Sequence, residues 1–384
     1  MTSRSNSSKR HPSRQGRKHA GKVRYAVVGL GHIAQVAVLP AFAHAKWNSE
    51  LTALVTDDSQ KAKQLGKKYR VPATYSYDTY DQCLKSGGID AVYIALPNSM
   101  HHAYAVSALR AGIHVLCEKP LALDEPQCLA MIDAAAETRT KLMTAYRLHF
   151  DKANLRAVEM VRSGKLGNPR FFASSFGLQV QQGNIRLSRE LGGGPLWDLG
   201  VYCVNAARYL FRDEPEEVFA FESTSPDSRF REVEESVTAI LRFPDARTAS
   251  FTCSFGSTDV SAYEIVGTKG MLRADPAYEY AEGLKLRVTI EGKSHEYEFG
   301  KSDQFAPELL YFSDCVLKNR QPEPSGEEGL ADVRVIRSLY RSLETGKSVR
   351  IEPLHKEKRP TAEQAIRRPP VRKPELVHAK SSFT

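Results

Sequence analysis

The feature that most constrains this chain is an apolar strand pattern, Val23–Val28, that runs straight into Gly29-Leu30-Gly31-His32-Ile33-Ala34. A glycine ending a strand permits a sharp turn. A second lets backbone approach a ligand with no Cβ between them, and a small sixth residue lets the next helix pack closely on the strand. The first turn of that helix carries unpaired N–H groups and a partial positive charge, a seat for a pyrophosphate. With a strand before it and a helix after it, the pattern reads as the G-x-G-x-x-A form of the dinucleotide fingerprint. Gly29, Gly31, His32 and Ile33 are then candidate cofactor-binding residues.

Further apolar runs at 51–55, 91–96, 114–116 and 142–145 alternate with helix-start chemistry. Asp58 precedes a helix-forming stretch reaching Tyr69, and Asp78 precedes a shorter one. Asp124, with Gln127 three residues later, resembles a capping box opening an alanine-rich helix that ends near Thr138. Strands separated by helical crossovers predict a parallel sheet covered on both faces, a doubly wound Rossmann domain over 23–145. From residue 146 the grammar changes. One helix over 153–163 stops at Gly164, and aromatic or alternating runs follow at 171–176, 218–221, 237–243, 249–255 and 263–266. A turn falls between Val266 and Leu272, and helices over 304–318 and 327–345 close the chain. Strands without crossover helices predict an α+β domain over 146–353 with a large, mostly antiparallel sheet. The expected fold class is therefore α/β, in two domains.

The net charge of +9 is not spread over the molecule: +7 falls in residues 1–22 and +5 in 354–384, leaving −3 for the body between them. Both tails are rich in Lys, Arg, Ser and Pro and poor in apolar residues. They are expected to be disordered and dispensable for folding and catalysis. With no basic stripe on the body, no nucleic-acid partner is expected. No apolar run approaches the ~18 residues of a membrane span, so no membrane partner is expected either. Six scattered cysteines without a C-x-x-C pair read as free thiols in a reducing cytoplasm, and no metal site is expected.

The second strand ends at Val55-Thr56-Asp57-Asp58. An acid there, Asp57 or Asp58, could grip the 2′-hydroxyl of NAD, and Asp58 could equally cap the next helix. Thr56 and Lys61 could instead hold the 2′-phosphate of NADP, so the residues alone leave the two coenzymes even. Leu96, Pro97 and Asn98 end the fourth strand on the cofactor side, with His101 just beyond; His101 could contact cofactor or simply begin a helix. Cys117-Glu118-Lys119-Pro120 ends the fifth strand and brings an ion pair to the crevice. The run Gly192-Gly193-Gly194 lets the chain pass close to a ligand. Arg186, Arg189 and His149 could bind substrate or serve only the surface and the domain junction.

The segments GLGHIA, LPNSMHH and CEKP together resemble the glucose–fructose oxidoreductase/inositol dehydrogenase (Gfo/Idh/MocA) family, and AYRLHF resembles its glucose–fructose oxidoreductase branch. The stretches RLSRELGGGPLWDLGVYCVNAARYLF, RFREVEESV and SGEEGLADVRVIRSLYRSLETGKSV resemble its glucose–fructose oxidoreductase branch, and the likeness covers roughly 23–352. The resemblance implies that Lys119 contacts substrate and nicotinamide and that Asp198 orients substrate. Tyr202 stands where most members carry histidine and where this branch carries tyrosine. It also implies NADP, with Thr56 and Lys61 matching the branch; Asp57, where the branch has glycine, brings a negative charge against it. The open face of the second sheet would make a homo-oligomer, a dimer or tetramer, and the branch's secretion signal is missing.

The chemistry implied is hydride transfer between C1 of an aldose, giving a lactone, or a related polyol or ketose, and the nicotinamide. NADP could stay bound while a second sugar serves as acceptor. A free tyrosine, with a pKa of about 10, is a poor base at neutral pH, but a nearby ammonium stabilises a phenolate. Tyr202 as acid/base, Lys119 as its cation and Asp198 as hydroxyl acceptor make a catalytic set; Arg186 and His149 are candidate additions to the substrate site. Two other readings keep the fold: an NAD-dependent glycosidase, and a non-enzymatic NADP-sensing regulator.

Overall fold

The computed structural model describes residues 21–354, 356 and 358–379. Six strands form a parallel sheet: β1 (Val23–Val28), β2 (Ser49–Val55), β3 (Ala73–Tyr75), β4 (Ala91–Ile94), β5 (His114–Glu118) and β6 (Leu142–Ala145). Their order is β3-β2-β1-β4-β5-β6, so the chain reverses direction across the sheet between β1 and β4 and opens a crevice there at the strands' carboxyl ends. The expected crossover helices are present. Asp58 caps Ser59–Tyr69 by accepting from the N–H groups of Gln60 and Lys61. Asp124 caps Glu125–Thr138 through the N–H of Gln127, whose amide answers to the Asp124 carboxylate. The short edge strand β3 carries no alternation that its sequence would announce.

Nine strands form the second sheet: β7 (Pro169–Gln179), β8 (Glu217–Ser223), β9 (Ser236–Phe243), β10 (Arg247–Ser254), β11 (Gly256–Gly267), β12 (Gly270–Ala274), β13 (Leu284–Ile290), β14 (Lys293–Phe299) and β15 (Val349–Arg350). The order is β14-β13-β12-β11-β7-β10-β9-β8-β15, antiparallel except for the β7–β10 pair. Helices Val201–Phe211 and Gly326–Thr345 cover one face. Phe171, Ile240 and Phe221 share the other, by register across β7, β10, β9 and β8, and are 42%, 50% and 65% exposed. The hairpin β13–β14 turns through Glu291 and Gly292, both at positive φ. Its second strand is so rich in Lys, His and Glu that its sequence does not read as a strand. Helix Ala306–Leu317 follows the second sheet in sequence but packs on the first: Ser313 Oγ meets Tyr25 Oη at 2.7 Å, and Asn48 donates to the Leu310 carbonyl. All six cysteines are buried free thiols.

The carboxyl-terminal segment departs from expectation. Residues 354–384 were expected to be a disordered tail, yet the described part, to residue 379, runs over the body and is pinned along its length. Glu214, Glu323, Glu328 and Asp332 are buried around a single internal cation, Arg208. Lys356 pairs with Glu323 and Glu328, and Arg359 with Glu214 at 2.6 Å. Farther on, the Ile366 N–H donates to the Phe150 carbonyl and the Asp303 N–H to the Arg368 carbonyl. Low apolar content misleads here because charge and backbone hydrogen bonds hold most of the segment, and its few apolar side chains, among them Leu354, Ile366 and Val377, still pack against the core. The amino-terminal tail, residues 1–20, lies outside the described residues.

Candidate active site

A cavity of about 750 Å³ lies between the carboxyl ends of the parallel strands and the second domain. Gly29 holds φ +89°, and a Cβ there would meet the Ala95 carbonyl oxygen at 2.6 Å, so only glycine makes this turn. Gly31 differs: a Cβ there would meet nothing within 4 Å, because the residue faces the open cleft. A helical run over 32–41 starts at that point, with a π turn at Ala34–Val38. His32, Ile33, Thr56, Lys61, Leu96, Pro97, Asn98, Glu118 and Lys119 all line the cavity with them. Asn98 also donates to the Gly192 carbonyl at 2.8 Å, tying the glycine run to the first domain.

Five candidates from the sequence, Asp57, Asp58, His101, His149 and Arg189, are not among the residues that line the cavity. The Asp57 carboxylate accepts the N–H of Tyr77, a lining residue, at 2.7 Å. His101 is fully buried, bridging the carbonyls of Pro120 and Leu96 at 2.8 and 3.0 Å; it is a structural tie between two strand-end loops. His149 is fully buried as well, stacked on Tyr146 and bonded through Nε2 to Asn205. Burial pushes its pKa down to about 3, so it is a neutral residue of the domain junction. Arg189 likewise faces elsewhere, donating to the Glu232 carbonyl.

The catalytic candidates converge. Lys119 follows β5, while Asp198 sits in a π turn (Leu196–Gly200) that leads into Val201–Phe211 and places Tyr202 one turn beyond it on the same face. Lys119 Nζ donates to the Asp198 carbonyl at 2.9 Å and to Oδ1 at 3.0 Å, while Arg186 Nε donates to Oδ2 at 2.5 Å. Burial alone would raise the Asp198 pKa, but the two cations outweigh it and hold the carboxylate well below the ordinary range. For Lys119, burial works against the charge, and Asp198, Tyr202 and Glu118 more than restore it, raising its pKa. The ammonium stands 4.6 Å from the Tyr202 ring centroid, over the face of the ring.

Sequence reasoning missed Arg147. Its guanidinium is buried, lies 5.0 Å from the Tyr202 ring centroid and has the tyrosine side chain as a hydrogen-bond partner. It also donates to the Tyr278 carbonyl and to Gln304 Oε1. Behind Lys119, Tyr93 Oη donates to Glu118 at 2.8 Å, next to the buried Glu308. Burial raises the pKa of both acids; the Glu118 charge raises that of Glu308 further, while Lys119 opposes the rise at Glu118. Among the described residues no group of His, Cys, Asp or Glu could hold a metal ion, and no helix is long and apolar enough to cross a membrane.

Residues 23–146 match the family model described as an oxidoreductase family with an NAD-binding Rossmann fold, and residues 154–273 match a GFO/IDH/MocA C-terminal domain. The chain is 31% identical over 338 residues to a D-xylose 1-dehydrogenase [NADP(+)] of Haloarcula marismortui, covering 86% of this chain and 93% of the relative. The crystal structure of an aldose–aldose oxidoreductase from Caulobacter crescentus, complexed with glycerol, superposes with a TM-score of 0.82 at 38% identity. The match covers 86% of this chain and all of that one. A 3-ketoreductase from Actinomadura kijaniata, solved with NADP, gives a TM-score of 0.77 at 27% identity, covering 84% of this chain and 98% of that one. With both domains matched and the ends of its strands shaped as they are, the chain belongs to the Gfo/Idh/MocA family of oxidoreductases.

Proposed function

We propose that the protein is an NADP-dependent sugar oxidoreductase that oxidises an aldose at C1 to the lactone, or runs the equivalent reduction. The observation that carries this reading is the meeting of Lys119, Asp198, Arg186 and Tyr202 in the cavity that begins at the Gly29–Gly31 turn. The fingerprint fits the nucleotide: Gly31 leaves open the space that a pyrophosphate would fill. Thr56 and Lys61 supply a hydroxyl and a cation where the adenosine ribose belongs, and Asp57 is engaged by the Tyr77 N–H. That engagement favours NADP over NAD. When bound, the nicotinamide accepts or returns the hydride at the sugar carbon.

The chain's own groups do the rest. Asp198, kept ionised with each oxygen held by a cation, has lone pairs left for sugar hydroxyls and no tendency to take up a proton at neutral pH. Tyr202 exchanges the proton of the reacting hydroxyl. Lys119 over its ring and Arg147 beside it put two cations next to the ring whose hydroxyl handles that proton. Arg186 fixes the carboxylate and faces the same cavity. The likeness to an aldose–aldose oxidoreductase supports a cycle in which a second sugar takes the hydride back.

Mass spectrometry of nucleotide released on denaturation, followed by stopped-flow reduction of the NADP-loaded protein by a panel of aldoses, tests the reading. NADP and a sugar-dependent rise in nicotinamide absorbance are expected. Bound NAD, or absorbance unmoved by any aldose, overturns it. The uncovered aromatic face with Phe171, Phe221 and Ile240 supports assembly into a homo-oligomer, to be read by light scattering. Six buried thiols suit a reducing cytoplasm.

A further inference from the structure

The two residues that end the described chain, His378 and Ala379, line the same cavity as Gly31, Thr56 and Lys61. They come from a segment that nothing in the Rossmann fold requires; the Caulobacter structure is covered completely by 86% of this chain. What brings them there is specific. Gln35, in the first turns of the fingerprint helix, is 1% exposed. Its amide oxygen accepts the Val377 N–H at 2.8 Å, and its amide nitrogen donates to the Val377 carbonyl at 2.8 Å and to the Leu30 carbonyl at 2.9 Å. A buried glutamine with its amide shared between the nucleotide turn and one tail peptide is a clasp. Next to it His378 Nδ1 meets Asp58 Oδ2 at 3.0 Å, and Lys68 donates to the Glu375 carbonyl at 3.3 Å. Asp58 and Lys68 cap and carry the helix after β2, the adenosine end of a Rossmann site. Lys373 is near enough that, after burial and together with Arg186, its charge lowers the pKa of His32 in the cleft.

We propose that residues 373–379 are part of the nucleotide site: a strap, clasped by Gln35, that closes the adenosine end of the cleft over bound NADP and retains it. The proposal rests on the NADP reading. His378 meets the same Asp58 oxygen that Lys61 Nζ approaches at 3.9 Å, and so shares that acid's charge with the lysine beside the 2′-phosphate, while Lys373 brings a cation near His32 at the nucleotide turn. Nucleotide leaves only when the Gln35 clasp opens. The anchors upstream, at Lys356, Arg359, Ile366 and Arg368, keep the strap tethered while it does.

Two variants test this in the full-length background. One ends the chain after Arg372, which keeps every upstream anchor. The other, Val377→Pro, removes the N–H that Gln35 accepts and leaves the length unchanged. Each is loaded with NADPH, and its release is followed by loss of nicotinamide fluorescence after mixing with excess NADP. Release is expected to quicken about tenfold or more in both, as the truncation removes both Gln35–Val377 hydrogen bonds and the proline removes one, with the stoichiometry of binding kept. Thermal unfolding of the unliganded proteins shows that the fold is intact. If the parent holds NADPH and both variants release it at the parent rate, the strap is overturned alone. If the parent binds NADPH with no measurable affinity, the cofactor reading falls and the strap with it.

Discussion

Two buried charge clusters are built from the same side chains and do opposite work. At the foot of the cavity Asp198 is gripped by Lys119 and Arg186, and the three side chains remain 19%, 12% and 25% exposed. Under the carboxyl-terminal segment Arg208, Glu328 and Asp332 are 0%, 1% and 0% exposed, and Lys356 and Arg359 seal them. Ion pairing alone therefore does not mark chemistry. The difference is an open side: the first cluster faces a cavity, with Asp198 lone pairs left to offer a ligand, and the second is closed in by the fold, where even Arg359 Nη1 is buried without a partner.

The largest effect that could break this comparison is at Tyr202. Tyr202→Phe keeps the ring between Lys119, Arg147 and Phe176 and removes only the hydroxyl. Reduction of bound cofactor by an aldose should slow by about 10² to 10⁴, with nucleotide affinity unchanged. A parent rate in stopped flow would place the proton elsewhere and rob the open cluster of its function. Next comes Lys356→Met, which strands Glu323 and leaves Glu328 with Arg208 as its cation, upstream of the strap. It should cost about 3 to 5 kcal/mol in urea unfolding while leaving hydride transfer in the folded protein at the parent rate. Equal damage to both readouts would mean that the two clusters are one.

The smallest effect concerns His149, held neutral between them. Its folded pKa is about 3, against about 6.5 for the unfolded chain. Between those values the unfolded state binds a proton that the folded state does not. Its contribution is thus complete above pH 6.5 and is lost, at about 1.4 kcal/mol per pH unit, as pH falls toward the folded value. Urea titrations at pH 7 and pH 5.5 should differ by about 1.4 kcal/mol more in the parent than in His149→Gln. Identical differences would mean that the imidazole titrates normally in the folded protein.

What was legible in the sequence was whatever chemistry is local. Gly29 and Gly31 declare a turn because only backbone geometry is involved, and Asp58 and Asp124 declare helix starts within three residues of their partners. Lys119, Asp198 and Tyr202 came from resemblance, and the fold does bring them into one cavity. Direction was not legible: His101 and Asp57 stand at the right strand ends, but each is taken up by backbone partners and neither lines the cleft. Arg147 could not be found because its partners Tyr278 and Gln304 lie 131 and 157 residues away. The course of the carboxyl-terminal segment was missed because sparse apolar residues do not announce a contact: Arg208's neighbours hold Lys356 and Arg359, and Gln35 holds the strap beyond them.

One bond has a mechanical meaning as well as a chemical one. Lys119 belongs to the first domain and Asp198 to the second, so the 3.0 Å contact between them is a gauge of how the two domains sit on each other. The first domain carries the nucleotide turn, and the second carries the tyrosine. A small rotation about their junction would therefore change both the grip on the carboxylate and the distance from sugar carbon to nicotinamide, as the travel of a vice sets both its hold and its gap. Residues far from the cavity, such as Tyr25 and Ser313 where helix Ala306–Leu317 lies on the first sheet, help to fix that rotation. The spacing across which hydride must pass is set by the seating of two whole domains, with the lysine and the aspartate as its stop.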